Sequence, residues 1–444
     1  MTDVGRSFLS LVPRPVLILG TLLLVAFGIN SVRRAHDPEG SSEFRGFRDN
    51  VAYPAFERRD IYEKVANPHR RASPDRVSLA FYPFAADRVI YGTIELSHPR
   101  FYPVLFAVIF YPFARAGTLF GAALWYLANV GLGVWALYLA VRTVSPSPTR
   151  RLIVAAFFAG IVLILDCAAR GEPDPFVLFS LCLCFYLYVG KREFLAGVAG
   201  AFGAVFKVTP TFLFIYFLVK WRPRVLAGGL CGGILFGFVV PAAALGPRYM
   251  LDTYESWVRN VLVPYHGKGS VALVHSAFRS SHQSLYSSLH RHLQRNNLGT
   301  KKRPLYLNIA DLPEPQLKRI LTALKALILG AILLAWLWPR TRGASEVVTL
   351  ELALIPPAML ELGDVSLTTH HLSLAFTLIA LFAFAGTHPR LPKAAFWLGL
   401  AAMYLTAFEI LKLLSILCLG TILTLCLTVV LIIREKRTGT AAAA

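Results

Sequence analysis

The chain has 444 residues, of which 56% are hydrophobic and 16% are charged, and its mean hydropathy is +0.56. A soluble chain of this length would divide into about two or three domains under a far more polar surface, so this composition excludes an ordinary soluble fold. Lys and Arg outnumber Asp and Glu by 45 to 25. They punctuate apolar blocks instead of forming a run, which argues against a nucleic-acid-binding face and for topology signals and phosphate partners.

In chain order, the first apolar block runs from Val16 to Ile29 behind Arg6 and Arg14. No small-residue cleavage site follows, so it reads as a retained first helix. Blocks near the length of a membrane-crossing helix follow, and the candidate spans are 13–31, 117–141, 151–168, 173–189, 194–206, 209–221, 225–245, 317–338, 347–362, 371–385, 391–408 and 411–433. The short block 101–114 contains Pro103 and Pro112 and is expected to be re-entrant or interfacial. The expected fold is therefore all-α: a polytopic membrane helical bundle of about twelve spanning helices plus one short segment.

Two polar stretches, 32–100 and 246–316, are long, and loops of that length are usually functional. Every second short connection is basic: the N-terminus, Arg142 with Arg150 and Arg151, Lys191 with Arg192, Lys220 with Arg222 and Arg224, Arg340 with Arg342, Arg390 with Lys393, and the end of the chain at Arg434, Lys436 and Arg437. The positive-inside rule places these, and both termini, in the cytoplasm. Both long loops then face outward, with Gly171-Glu172-Pro173-Asp174, Lys207-Val208-Thr209-Pro210 and the stretch from Gly363 to His371. Nearly all polar residues of chemical interest thus gather on one membrane face.

Among them, Glu43 follows the first span at the membrane surface and suits a general base, with Asp49 and Asp60 competing for the role. Lys207 lies between two apolar segments, where a cation needs a partner such as a lipid phosphate. Adjacent histidines point about 100° apart on a helix and chelate one metal poorly, so His370-His371 reads as hydrogen bonding or charge stabilisation of a phosphate. Glu172 and Asp174 suit a helix N-terminus as caps. Gln283 and Ser284 have groups to hold a sugar, and turn chemistry accounts for them equally well. The six cysteines, in or beside apolar blocks without zinc spacing, read as core residues. No phosphate-cradling G-x-x-x-x-G-K-[ST], G-x-G-x-x-G or H-E-x-x-H occurs.

The order and spacing of Glu43-Phe44, Asp60-Ile61-Tyr62, Tyr102-Pro103-Val104, Gly171-Glu172-Pro173-Asp174, Lys207-Val208-Thr209-Pro210, His282-Gln283-Ser284 and His370-His371 resemble the polyprenyl-phosphate-sugar-dependent glycosyltransferases of the GT-C superfamily. The resemblance is to the GT87 (DUF2029) mannosyltransferases in particular. It departs from them in Glu43 for the usual Asp, Val104 for the second Pro, and Thr368-Thr369 before the histidine pair. The resemblance implies a catalytic transmembrane region over 1–390, with 391–444 as C-terminal helices and tail. It also implies a bacterial inner-membrane location, a polyprenyl-phosphate sugar donor (mannose), a lipid, glycan or other cell-envelope acceptor, and inversion at the anomeric carbon. Glu43 and His370 are the expected catalytic residues. Lys207, His371, Arg45 and Arg48 are expected at the donor phosphate, and Gln283, Ser284, Asp174 and Tyr102 at the acceptor or sugar. No metal, cofactor or nucleic acid is implied, and membrane lipids are the surroundings. The alternatives are a flippase for lipid-linked sugars, against which the lack of a clear internal repeat counts, and a catalytically silent partner of an envelope-assembly enzyme.

Overall fold

Apolar blocks become helices because a backbone away from water must satisfy its own hydrogen bonds. The computed structural model describes residues 12–36, 44, 48, 52–58, 102–259, 280–298, 305–339, 345–385 and 391–441. Among them the sole β pairing is an isolated antiparallel bridge between His282 and Leu367. The main helices are α1 (Arg14–His36), α2 (Val104–Arg115), α3 (Thr118–Val144), α4 (Arg150–Arg170), α5 (Asp174–Val189), α6 (Glu193–Phe206), α7 (Leu213–Val219), α8 (Pro223–Ile234), α9 (Pro247–Trp257), α10 (Leu285–Leu293), α11 (Glu314–Leu337), α12 (Ser345–Ala353), α13 (Ile355–Leu362), α14 (Leu374–Phe384), α15 (Leu391–Leu405) and α16 (Ile416–Ala441).

Among the described residues, six helices are long and apolar enough to cross a membrane: Arg14–Ala35, Thr118–Val144, Arg150–Arg170, Pro223–Leu245, Glu314–Leu337 and Ile416–Arg437. Six further apolar helices have 10–17 residues. Helix length therefore supports six of the twelve spans expected from hydropathy. Two of the expected spans are interrupted. The block 347–362 divides into α12 and α13 at Pro356-Pro357, whose missing N–H groups cannot continue an α ladder. The block 209–221 opens with a 3₁₀ turn, Thr209–Phe212, before α7. Helix α2 has 12 residues with Pro112 inside, so it extends about 18 Å, well short of the ~30 Å hydrocarbon core.

The outer surface is what a bilayer requires. Ile18, Leu22, Val25 and Ile29 of α1 are exposed along one stripe, as are Leu230 of α8 and Leu327 of α11. In water such a surface would aggregate; in lipid it is solvated. Small residues let α6 and α8 touch backbone to backbone: a Cβ on Gly197 would overlap the Val225 carbonyl, and one on Gly228 the Phe194 carbonyl, the close packing that small residues permit between membrane helices. All six cysteines are free.

The ion-paired charges inside the bundle form clusters at two ends, while Asn129, Ser180 and Thr424 are buried along helices. At one, Glu351 of α12 is fully buried and receives Lys220 at 2.7 Å and Lys436 at 2.6 Å. Lys436 also donates to the Ala335, Trp336 and Trp338 carbonyls, which caps the C-terminal end of α11. At the other end, α4 gives way to α5 and α6 gives way to the Thr209 turn.

Candidate active site

Helix α4 ends in a left-handed turn that sets the geometry of the site. Gly171 has φ +84°. Its N–H donates to the Ala168 carbonyl at 3.1 Å, and the Glu172 N–H donates to the Cys167 carbonyl at 2.9 Å, the paired bonds of a Schellman motif. A side chain at 171 is excluded twice over. Positive φ strains an L residue, and a Cβ would lie 2.8 Å from the Phe44 nitrogen. Trp125 of α3 donates from Nε1 to the Gly171 carbonyl at 2.8 Å. Pro173 and Pro175 then open α5 around Asp174, where missing N–H groups cost nothing and a carboxylate meets the positive end of the helix dipole.

Helix α6 stops at Phe206, and Lys207 adopts extended backbone with φ −150°. From there its Nζ reaches Asp174 Oδ1 at 2.8 Å and stands 5.6 Å from the centre of the Tyr102 ring. Lys207 is 9% exposed and Asp174 5%, so this is a buried ion pair, not a surface one. Beside it lies a run of aromatic contacts. Tyr102 packs on Phe106 at 4.6 Å, Phe106 on Phe206 at 5.4 Å, Phe206 on Phe176 at 5.2 Å and Phe176 on Trp125 at 5.0 Å. One continuous block thus fixes Tyr102, Lys207 and the Gly171 turn relative to one another.

The histidine pair arrives on a 3₁₀ turn, Thr368–Ser373. The strand-like stretch before it is zipped to the loop ahead of α10: Gln283 N–H donates to the Ser366 carbonyl at 2.6 Å and Thr368 N–H to the Ser281 carbonyl at 2.9 Å. The two rings are oriented by one residue. Leu367 N–H donates to His370 Nδ1 at 3.2 Å, so that nitrogen accepts and the proton of the neutral ring sits on Nε2. His371 Nδ1 donates to the Leu367 carbonyl at 2.9 Å, which leaves its Nε2 as an acceptor. His370 is half-buried, while His371 is completely buried. His370, Asp174, Thr209, Ser366 and Ser373 line a cavity of about 10 Å³, roughly the room of one water or hydroxyl.

Of the residues expected in the site, Asp174, Lys207, Tyr102 and His370 come together, and His371 lies directly behind. Arg48 donates to the Thr118 hydroxyl at the start of α3. Gln283 is fully buried and its amide donates to the Ser280 carbonyl at 2.6 Å and the Lys412 carbonyl at 2.8 Å. Ser284 caps α10 by accepting from Ser287 N–H at 3.2 Å, and it donates to the Asp364 carbonyl at 2.7 Å. These two side chains hold the loop that positions the histidine turn. Glu43, Arg45, Asp49 and Asp60 lie outside the described residues. Phe44 is described, and it packs against Gly171 and, at 5.2 Å, Phe110.

Sequence reasoning left four residues out of the site. Trp125 holds the Gly171 carbonyl, and Thr369 accepts a hydrogen bond at its carbonyl from Cys167 Sγ at 3.7 Å. His282 is an electrostatic neighbour of His370. Glu172 stands half-buried beside Asp174, Thr369 and Lys207. Burial and then Asp174 raise its carboxyl above the usual range, while Thr369, Lys207 and Arg170 oppose the rise. The spacing Glu-Pro-Asp was the available signal for Glu172, since two carboxyls that flank a helix start face a common neighbourhood.

Long apolar helices around a buried lysine, two carboxyls and a histidine define a polytopic membrane protein with a polar cluster at one end. The chain matches the family model of glycosyltransferase family 87 (GT87) over residues 101–360, more than half of its 444 residues, and belongs to that family. It is a membrane glycosyltransferase. The matched region carries Tyr102, Glu172, Asp174 and Lys207 and ends just before the histidine turn. No curated protein and no solved structure matches the chain.

Proposed function

We propose that this glycosyltransferase moves a sugar, mannose, from a polyprenyl-phosphate donor to a hydroxyl of a glycolipid, glycan or other envelope acceptor, on the outer face of the bacterial inner membrane. The observation that carries this reading is the convergence of Lys207 and His370 on the Asp174 junction. The pair offers an ammonium and an N–H to a phosphate, at the end of helices whose outer surfaces suit lipid.

In the proposed reaction the acceptor hydroxyl gives its proton to the Glu43 carboxylate as its oxygen attacks the anomeric carbon from the face opposite the phosphate. The bond from that carbon to the phosphate oxygen breaks, and its electron pair leaves with the lipid phosphate. Configuration inverts. The charge that builds on the leaving oxygen is met by Lys207, which has three donors and gives one to Asp174, and by His370 Nε2–H. The Glu43 role is supported by its chain neighbour Phe44, which packs on the Gly171 turn next to Glu172 and Asp174.

The test is purified protein in detergent with radiolabelled polyprenyl-phosphate mannose and a panel of lipid acceptors. Labelled glycolipid product is expected. Glu43→Gln is expected to abolish transfer and keep donor binding, and a fully active Glu43→Gln protein removes that residue as the base. Movement of the labelled donor across liposomes without any product overturns the transferase chemistry in favour of a flippase.

A further inference from the structure

Lys207 does not meet a phosphate as an unneutralised cation. Asp174 already lies 2.8 Å from its Nζ, and a bare ion pair presents no net charge to an incoming anion. What the phosphate would feel next is the second carboxyl of the junction. The Schellman turn at Gly171 and the two prolines fix Glu172 and Asp174 two residues apart, both within electrostatic reach of Lys207. Asp174 directs Oδ1 to Lys207, while its buried Oδ2 has no hydrogen-bond partner. The Glu172 carboxyl stands beside Asp174 and the Thr369 hydroxyl.

Among the described residues, the charges around Glu172 come from α4, α5, the end of α6 and the turn before α14. From α4, Arg170 pairs with Asp166 at 3.0 Å and so adds little net charge. From α5 there is Asp174, and from the end of α6 there is Lys207. The turn before α14 brings His370, whose Nδ1 accepts from Leu367 N–H, and His371, whose Nδ1 donates to a carbonyl. Summed over these groups, an ionised Glu172 gives a net negative charge that opposes a phosphate. A protonated one leaves the sum neutral and supplies one more O–H donor.

We propose that Glu172 is a donor-site residue that acts as a neutral acid, giving its O–H in a hydrogen bond to the lipid phosphate while Asp174 keeps Lys207 in place. This rests on the phosphate-site reading above and adds a residue to it. Without a phosphate, the unpartnered Oδ2 of Asp174 is an acceptor beside it for the same proton, so the two carboxyls share one hydrogen until the anion arrives. Burial and the Asp174 charge keep the Glu172 proton bound up to about pH 8, so the site is competent at neutral pH and loses its anion affinity as the pH rises beyond that value.

The experiment measures polyprenyl-phosphate binding and sugar transfer from pH 6 to pH 9.5 for the wild type, Glu172→Gln and Glu172→Ala in the same detergent. Gln keeps the shape and a donor but cannot ionise. The wild type is expected to lose affinity as pH passes about 8. Glu172→Gln is expected to bind at neutral pH with wild-type strength and to stay flat across that range. Glu172→Ala is expected to bind about tenfold to a hundredfold more weakly at neutral pH, the loss of one hydrogen bond to a charged group. If Glu172→Gln is as weak as Glu172→Ala, or if it shows the same alkaline fall as the wild type, the inference fails while the donor reading stands. A wild type that binds no polyprenyl phosphate at any pH removes the donor reading itself.

Discussion

Lys207 closes one helix and Asp174 opens another, and the two meet at 2.8 Å in a pocket where neither is more than 9% exposed. Buried charges are tolerated only when paired, and removal of one partner leaves the other uncompensated. Asp174→Leu is therefore expected to destabilise the protein by about 3–5 kcal/mol, and Lys207→Met by a similar amount. The double variant is expected to cost clearly less than the two together. Thermal unfolding in detergent micelles measures all three, and strict additivity would count against a coupled pair.

His370 and His371 are adjacent but differ in setting, since His370 lines the cavity and His371 is fully buried. His370→Ala is expected to lower turnover by about 10²–10³-fold, the scale of one lost donor at a developing charge, with little change in melting. His371→Ala is expected to act first on stability, because it removes a fully buried side chain that anchors Leu367. Steady-state kinetics beside melting curves separate the two, and equal effects from both would reject this division.

Gly171→Ala places a Cβ at a positive φ and against Phe44. The backbone strain alone amounts to about 1–2 kcal/mol, and the displaced turn carries Glu172 and Asp174 with it. The expected outcome is a lower melting midpoint together with reduced donor affinity. A protein that melts and binds like the wild type would show that the turn does not position the carboxyls.

At the far end of the bundle, Glu351 holds both Lys220 and Lys436, and Tyr216 donates to its second oxygen at 3.1 Å. Glu351→Gln leaves two ammonium groups facing each other in a dry interior. A loss of about 3–5 kcal/mol is expected, and Lys436→Met introduced on top is expected to recover part of it. Failure of the second change to recover any stability would mean that Lys436 is held by the α11 carbonyls alone.

The helix α10 gives the protein an acid-sensitive edge. Burial lowers His290 and His292 below the usual value of 6.5, only partly offset by the Tyr286 carbonyl and Glu314 for His290 and by the Leu307 carbonyl for His292. A depressed histidine binds fewer protons folded than unfolded below that value. Its contribution is present above about pH 6.5 and is lost as the pH falls. The melting midpoint is expected to drop on acidification from pH 7.5 to pH 5.5, and less so in His290→Gln. An unchanged slope in that variant would exclude His290 as a source.

Residue spacing singles out several polar groups that the fold brings together. Asp174, Lys207 and His370 stood out as polar groups at the ends of apolar blocks, and they do converge. Gln283 and Ser284, inside the polar stretch 246–316, suit a sugar or a turn alike, and their side chains bond to main-chain carbonyls and steady a loop. Glu172 was read as a cap, since one-dimensional spacing shows a helix start but not the lysine folded back against it. The break at Pro356-Pro357 was visible in sequence, but hydropathy averages over it, so the block 347–362 read as one span.

The sequence alone determined the solvent and the helical class: stretches that lack polar side chains must close their own backbone hydrogen bonds and present their flanks to lipid. It also determined which end of each helix carries charge. Which charges meet is not readable in one dimension, because the ion pair of Asp174 with Lys207 and that of Glu351 with Lys220 and Lys436 join residues far apart in the chain. Those pairings follow from how whole helices pack, where a desolvated charge accepts just the partner that the surrounding side chains bring within reach.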